Sequence, residues 1–351
     1  MAFLSVDKIK IAGLSAAVPK NKISNRDYNW ISTEEREKLI GITGIEERRF
    51  AEDGVTSSDL CFEAAEKLLE TLRWKREEIS LLIFVSQMRD FVVPCTSAIL
   101  QDRLELSKNC LTMDIPYGCT GYLYGLSTAG SLMKNSNIEK ALLLIGDVPT
   151  PYASYKDRSS FPLFGDAGTA TALEKSNSEN PFHFSLQTDG SGFEAIMIPD
   201  GGARNPTTAE SLLPKEFSPE MIRNSCEINI DGSKIFEFAL NEVDLNFQNH
   251  LAFRGFEKED FDYFVFHQAN KILNETLRKT MELKAEKVPY SLKLFGNTVT
   301  SSIPLTMVTE LRDQLISEKM NLAIIGFGVG LSWGSAFIHT ENLVCPPLIE
   351  I

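Results

Sequence analysis

The feature that most constrains the fold is an internal repeat of the chain at an offset of about 180 residues. An acidic turn followed by an apolar strand occupies 76–87 (REEISLLIFVSQ) and recurs at 258–268 (KEDFDYFVFHQ). A second apolar strand that ends in glycine occupies 140–146 (KALLLIG) and recurs at 321–326 (NLAIIG). Either match alone is weak, because apolar strands resemble one another. Two matches in the same order indicate a duplicated βα unit.

A third pair of segments supports the same duplication. The tetrapeptide 117–120 (YGCT) matches 295–298 (FGNT), and its offset of 178 lies within three residues of the other two. Alternating apolar strands and helical stretches predict an α/β fold with pseudo-twofold symmetry. We expect two halves, 1–175 and 176–351, whose strand ends converge on one shared site.

Composition excludes several classes of function. The chain has 351 residues, 43% hydrophobic and 24% charged, which is typical of a soluble globular protein with a sizeable core. A net charge of −13 argues against nucleic acid or an anionic membrane as the main partner. No apolar run reaches the roughly 18 residues of a membrane span, and residues 1–19 lack a signal-peptide layout. We therefore expect no membrane insertion and a cytoplasmic location.

Six cysteines and four histidines show no metal-binding spacing, so we expect no metal site. One cysteine stands out. Cys119 follows a strand-like segment (110–115) and precedes a segment with helical apolar spacing (122–133), and Gly118 and Gly121 flank it. A thiol at a helix N-terminus is a candidate nucleophile, because free N–H groups and the helix dipole favour the thiolate. The alternative is a buried structural cysteine.

Two further candidates lie in the second half. His267 ends an apolar strand and could donate a hydrogen bond or act as a base, or it could cap the following helix. Asn297 taken alone is a common turn residue. The repeat favours function for both, since it places Asn297 at the position equivalent to Cys119 and His267 at the end of a neighbouring strand. We therefore expect Cys119, His267 and Asn297 to share one pocket.

Two motifs are coincidental matches. The GxSxG pattern at 330–334 resembles a serine-hydrolase nucleophile elbow, but no aspartate follows Ser332 and His339 is too close. The glycines of 326–330 lack the third position of a dinucleotide-binding loop. They predict a tight loop whose backbone N–H groups point at the site.

The chain resembles the β-ketoacyl-acyl-carrier-protein synthase III family, the initiating condensing enzymes of type II fatty acid synthesis. The resemblance runs from about residue 8 to 340. It rests on the motifs TGIEERR (43–49), GCTG (118–121), DR (157–158), FGD (164–166), HQAN (267–270), GNT (296–298) and FGVGLSWG (327–334).

The resemblance implies a thiolase-like fold, a duplicated five-layer αβαβα architecture, and a homodimer that needs no tightly bound cofactor. Cys119 would attack an acyl thioester, most often acyl-CoA, to give an acyl-enzyme, with the backbone N–H groups of Cys119 and Val329 as the oxyanion hole. His267 and Asn297 would then bind the thioester oxygen of malonyl-acyl carrier protein. Phe327 would crowd the departing carboxylate as CO2 leaves.

The resemblance also implies residues for substrate and carrier contacts. The implied contacts with CoA or pantetheine are Arg158, Ser233 and Asn270, and the implied carrier-protein docking residues are Lys271, Arg278 and Lys279.

Several positions depart from the family pattern. Lys38 and Ile42 stand where a tryptophan and an arginine usually hold the CoA adenine, and Ile272 replaces a basic residue after the HQAN motif. Val329 replaces the central glycine of the last loop, and the segment 201–226 is longer than usual. We hypothesise that the primer is not simple acetyl-CoA, or that it arrives on a carrier protein.

Other functions on the same residues stay open. An acyltransferase of this fold would move the acyl group from Cys119 to a hydroxyl or amine without condensation, and the intact Asn297 and Phe327 favour condensation over it. A hydroxymethylglutaryl-CoA synthase-like reaction would require a glutamate within 79–92, which is absent. A binding-only subunit would typically have lost the nucleophile.

Overall fold

The computed structural model describes residues 2–134, 136–177 and 180–351. In these residues the strands β1 to β17 span, in order, Ala2–Val6, Ile9–Val18, Lys22–Ser24, Glu47–Arg49, Ile79–Val85, Leu111–Ile115, Lys140–Asp147, Ala167–Lys175, Phe182–Thr188, Ile196–Met197, Lys215–Ser218, Met221–Arg223, Asn229–Ile230, Tyr263–Phe266, Lys319–Gly328, Ser332–Glu341 and Ile349–Glu350. The helices α1 to α9 span Thr33–Thr43, Ser57–Leu72, Thr96–Arg103, Gly121–Lys134, Gly232–Arg254, Lys271–Thr280, Leu292–Phe295, Ser302–Glu310 and Arg312–Ser317.

Local sequence signals set several helix ends. A capping box of Ser32 and Glu35 starts α1, and one of Thr56 and Asp59 starts α2. The helix α5 ends at Gly255, which adopts the left-handed conformation with φ of 71°. These short-range interactions fix the directions in which the helices leave the sheets.

Two main sheets share one topology. In the first sheet β5 and β7 are parallel, whereas β7 with β8 and β8 with β2 are antiparallel. In the second sheet β14 and β15 are parallel, whereas β15 with β16 and β16 with β9 are antiparallel. The strands that match across the sheets are those of the sequence repeat, so the predicted duplication is confirmed.

The two sheets exchange their terminal strands. The strand β1 pairs with β9 in the second sheet, and β17 pairs with β2 in the first. The predicted division between residues 175 and 176 falls at the end of β8, and it stays a prediction. Each half contributes one strand to the sheet of the other.

The helices and sheets form five layers. The helices α2 and α3 cover the outer face of the first sheet, and α5 and α6 cover the outer face of the second. Between the sheets lie α4, which contacts β5, β7, β9 and β15, and α8, which contacts β2, β8 and β14. The largest apolar cluster fills this middle layer. This is the predicted αβαβα order.

The repeat is imperfect next to the candidate site. Cys119 follows the strand β6, whereas Asn297 follows the short helix α7. Both nevertheless precede a helix of the middle layer, α4 for Cys119 and α8 for Asn297. The two loops therefore meet between the sheets.

The described residues, 2–134, 136–177 and 180–351, contain neither a candidate membrane span nor a candidate metal site. Within them no helix is long and apolar enough to cross a membrane. Nor do three or more His, Cys, Asp or Glu side chains of this part of the chain group together in a way that could hold a metal ion.

Candidate active site

A cavity of about 170 Å³ between the two halves contains the three predicted site residues. Cys119, His267 and Asn297 all line it, although they come from three separate segments. They are buried, with only 7%, 2% and 9% of their surfaces exposed. Phe327 and Val329 of the glycine loop line the same cavity. The structure thus brings together the residues that the repeat predicted to converge.

The glycine loop approaches Cys119 closely because Gly328 has no side chain. A Cβ atom at Gly328 would lie 2.7 Å from Cys119 Sγ, and its φ of 150° disfavours other residues. Backbone hydrogen bonds from Val329 and from Cys119 itself reach the sulfur. These are the two amides predicted to form an oxyanion hole, and that role stays a prediction.

The expectation that the helix N-terminus favours a thiolate does not hold in the resting site. Burial raises the pKa of Cys119 to about 12, against the lowering effect of the Val329 hydrogen bond. The charge of Asp147 raises this pKa further. Desolvation therefore outweighs the helix N-terminus, and Cys119 rests as a neutral thiol.

His267 is held as a neutral imidazole. Burial lowers the pKa of His267 to about 3, and a backbone hydrogen bond with Val299 partly offsets this. Its Nδ1 hydrogen-bonds to the Ser302 hydroxyl at 2.8 Å, and its ring meets Phe327 edge-on with centroids 5.5 Å apart. A fixed, neutral ring of this kind can donate one hydrogen bond or accept one proton.

Asn297 is oriented by its own loop. Gly296 adopts φ of 66°, and a Cβ there would lie 2.6 Å from the Leu163 carbonyl oxygen. The Asn297 N–H donates to that carbonyl at 2.8 Å, and Asn297 Oδ1 accepts from the Val299 N–H at 2.9 Å. With Oδ1 engaged, the Nδ2 group is the donor that remains for a ligand.

The residues implied for CoA or pantetheine differ in their placement. Asn270 lines the cavity while its side chain caps α6 by accepting from the Leu273 N–H at 3.0 Å. Ser233 is exposed in the first turn of α5 and does not line the cavity. Arg158 forms ion pairs with Glu220 and, at 3.7 Å, with Glu35.

The three residues implied for carrier docking lie on one helix, α6. Lys271 and Lys279 are exposed. Arg278 is largely buried, pairs with Glu275 at 2.9 Å and donates to the Leu283 carbonyl at 2.6 Å. The two lysines are therefore available to an acidic partner, and Arg278 is occupied by Glu275 of its own helix and by Leu283 just beyond it.

A second cavity, of about 530 Å³, adjoins the first. Gly201, Gly202, Thr207 and Cys226 line it, so the unusually long segment 201–226 forms part of its wall. The two cavities share five lining residues: Gln87, Met88, Ile196, Ile228 and Val329.

The sequence did not predict most of the residues that line both cavities. Gln87 could have been predicted, because in the repeat it matches Gln268, the neighbour of His267. Ile196 belongs to the two-residue strand β10 and Ile228 lies outside the strands, so apolar spacing gives no signal for either.

Comparison with known proteins identifies the family. The family models for 3-oxoacyl-[acyl-carrier-protein] synthase III and for its C-terminal part match residues 113–190 and 251–340. A beta-ketoacyl-[acyl-carrier-protein] synthase III of Halalkalibacterium halodurans is 32% identical over 93% of this chain and 96% of its own. One of Chlamydia pneumoniae is 31% identical over 96% of this chain and 99% of its own.

Solved structures agree with these sequence matches. The crystal structure of a 3-oxoacyl-(acyl-carrier protein) synthase from Burkholderia xenovorans superposes with a TM-score of 0.93 and 36% identity. It covers 100% of this chain and 99% of that one, which confirms the thiolase-like fold. The chain belongs to the 3-oxoacyl-[acyl-carrier-protein] synthase III family.

Proposed function

We propose that this acyltransferase condenses an acyl thioester primer with malonyl-acyl carrier protein, with loss of CO2, to give a 3-oxoacyl thioester. The observation that carries the proposal is the convergence of Cys119, His267 and Asn297 on one buried cavity. A sulfur nucleophile and two neutral hydrogen-bond donors suit a reaction that passes through an enolate.

In the first step Cys119 Sγ bonds to the acyl carbon and the carbon–sulfur bond of the primer breaks. The proton of the Cys119 thiol leaves with the departing thiol, by way of His267, whose neutral ring can accept it. The amides of Cys119 and Val329 stabilise the oxyanion of the tetrahedral intermediate. Loss of one such donor typically costs about 3–4 kcal/mol.

In the second step the malonyl thioester oxygen accepts hydrogen bonds from His267 and Asn297 Nδ2. The bond to the malonyl carboxylate breaks, CO2 leaves, and the electron pair forms the enolate. Phe327 is 1% exposed and presents an apolar surface, which favours neutral CO2 over the carboxylate anion. The enolate carbon attacks the acyl group, and the released Cys119 sulfur regains a proton from solvent.

The surroundings of the cavity bear on the primer. Glu220 and Glu35 occupy the guanidinium of Arg158, and two carboxylates here disfavour the phosphates of CoA. The second cavity offers room for an acyl group larger than acetyl. Both features support a primer other than simple acetyl-CoA, or one delivered by a carrier protein.

We propose a homodimer in the cytoplasm as the working unit. The strand β6 is the edge of the first sheet, and its Leu111 is exposed. The nearby loop exposes Phe91, Val92 and Val93. An unpaired edge beside exposed apolar side chains supports pairing with a second copy. Measurement of the mass in solution tests this, and a monomer at working concentration would contradict it.

One assay separates condensation from simple acyl transfer. The enzyme is incubated with a panel of acyl thioesters and malonyl-acyl carrier protein carrying a labelled carboxylate. We expect mass gain at Cys119 followed by release of labelled CO2 that depends on the primer. Acylation of Cys119 without CO2 release, with the acyl group passing to a hydroxyl or amine acceptor, would support transfer instead.

A further inference from the structure

Asp147 is a buried carboxyl group that the proposed reaction does not use. It ends β7 and has no exposed surface. Its Oδ1 accepts from the Ser86 hydroxyl at 2.8 Å and from the N–H groups of Gln87 at 2.9 Å and Met88 at 3.3 Å. Its Oδ2 accepts from the Thr300 N–H at 3.2 Å and from the Thr300 hydroxyl. Five neutral donors from two distant segments therefore converge on one carboxyl group.

The first of these segments leads to the cavity beside Cys119. Gln87 and Met88 line both cavities. The Gln87 side chain packs against Gly118, where an added Cβ would lie 2.5 Å from Gln87 Oε1. By holding Gln87 and Met88, Asp147 supports the wall next to the nucleophile.

The second segment leads to Asn297. Thr300 follows Asn297 by three residues, and its hydroxyl lies 3.5 Å from the Tyr117 carbonyl oxygen. Its methyl group packs against Gly121, where an added Cβ would lie 2.5 Å from Thr300 Cγ2. Thr300 thus contacts the loop on both sides of Cys119.

Only an ionised carboxyl group satisfies all five donors, because a protonated acid or an amide would place a further donor among them. Burial raises the pKa of Asp147 to about 7, and the hydrogen bonds from Ser86, Thr300, Gln87 and Met88 lower it. Burial opposes the charge of this carboxyl group, and the five hydrogen bonds that offset the cost also tie the two segments together.

We propose that Asp147 is a positioning residue that sets the spacing between the Cys119 and Asn297 loops by binding Gln87, Met88 and Thr300 together. The inference rests on the proposed condensation, which needs Cys119 and Asn297 on the two reacting partners at once. Asp147 touches no substrate in this role and acts through its donors.

Replacement of the carboxylate by its amide tests the positioning. In Asp147→Asn we expect the condensation rate to fall by about 100-fold, the typical cost of misplacing reacting groups by about 1 Å. The KM for the acyl primer should stay near the wild-type value, and acylation of Cys119, which does not use Asn297, should fall less. Equal losses in acylation and condensation, or no loss in either, would contradict the proposal.

A matched pair at Thr300 gives a second measurement that does not depend on the folding of Asp147→Asn. Thr300→Val keeps the shape and removes the hydroxyl, whereas Thr300→Ser keeps the hydroxyl. We expect Thr300→Val to lose condensation and Thr300→Ser to retain most of it. Thr169→Val is the control, because it removes a buried hydroxyl that donates to the Ile145 carbonyl at 2.9 Å rather than to Asp147.

The outcomes separate this inference from the proposed function. Wild-type enzyme that releases no CO2 from malonyl-acyl carrier protein overturns both. Wild-type enzyme that condenses, with Thr300→Val and Thr300→Ser equal in rate, overturns the positioning role alone. A loss in Thr300→Val that Thr300→Ser restores supports it.

Discussion

The floor of the cavity, formed by Cys119, His267 and Asn297, differs from the surface residues implied for partner binding in how its side chains are held. On the floor, Cys119, His267 and Asn297 are buried and each is fixed by backbone groups or neighbouring side chains. Outside the cavity, Arg158 and Arg278 pair with acidic neighbours of their own chain, and Lys271 is exposed. In the proposed reaction the chemistry therefore depends on desolvated, neutral groups, whereas partner choice depends on surface charges that water screens.

The largest effect should come from the nucleophile. Cys119→Ala should abolish mass gain from acyl thioesters and reduce condensation by at least about 1000-fold. Mass spectrometry of the intact protein measures the first and labelled product the second. Cys61→Ala is the control, because Cys61 is a buried residue of α2 itself, in the outer layer. Acylation that persists in Cys119→Ala would contradict the assignment of Cys119 as the nucleophile.

Asn297→Ala should separate the two steps. Loss of one preorganised donor to the enolate should reduce CO2 release by about 100- to 1000-fold, while Cys119 is still acylated. Stopped reactions analysed for both CO2 and acylated protein test this. A parallel loss of acylation would mean that Asn297 shapes the cavity rather than the second step.

A smaller effect is expected from Lys271, the exposed lysine at the start of α6. Lys271→Glu should raise the KM for malonyl-acyl carrier protein by about 5- to 10-fold and leave kcat unchanged. Arg278→Ala should change this KM less, since the Arg278 guanidinium is paired with Glu275. The matched control is Lys284→Glu, an exposed lysine elsewhere on the same half. Equal effects of all three would show that overall charge acts, not a docking site.

A still smaller gain is expected from Glu220→Gln, which removes the shorter of the two ion pairs of Arg158. The KM for acyl-CoA should fall by about 5-fold, the size of one exposed ion pair, with no change in the maximal rate of acylation. Glu34→Gln makes the same charge change on α1 without touching Arg158. If both variants act alike, the Arg158 pair does not govern CoA binding.

No change at all is expected for the protonation of His267 between about pH 5 and 8. Burial disfavours the imidazolium and lowers the pKa of His267 to about 3, so the ring stays neutral throughout this range. Nitrogen NMR shifts of the ring, assigned with His267→Gln, measure this directly. A transition near pH 6.5 would mean that water reaches the imidazole of His267.

The sequence predicted the buried residues of the cavity better than the contacts of the surface residues, for a physical reason. The repeat relates strand ends, and side chains at the ends of β14 and β15 are fixed by regular backbone pairing. The charges around Arg158 depend on Glu220, which lies in the turn between β11 and β12, so spacing could not reveal that pair. Burial also reversed one inference, because a helix N-terminus alone suggested a thiolate at Cys119.

The exchanged terminal strands have a consequence for biosynthesis. The edge strand β17 of the first sheet is contributed by residues 349–350, and the Ile351 N–H donates to the Val18 carbonyl at 3.0 Å. A nascent chain emerges from the ribosome N-terminal end first, so the first sheet stays incomplete until translation reaches these residues. The strand β17 is therefore added to the first sheet only after the segments that carry His267 and Asn297 have been synthesised.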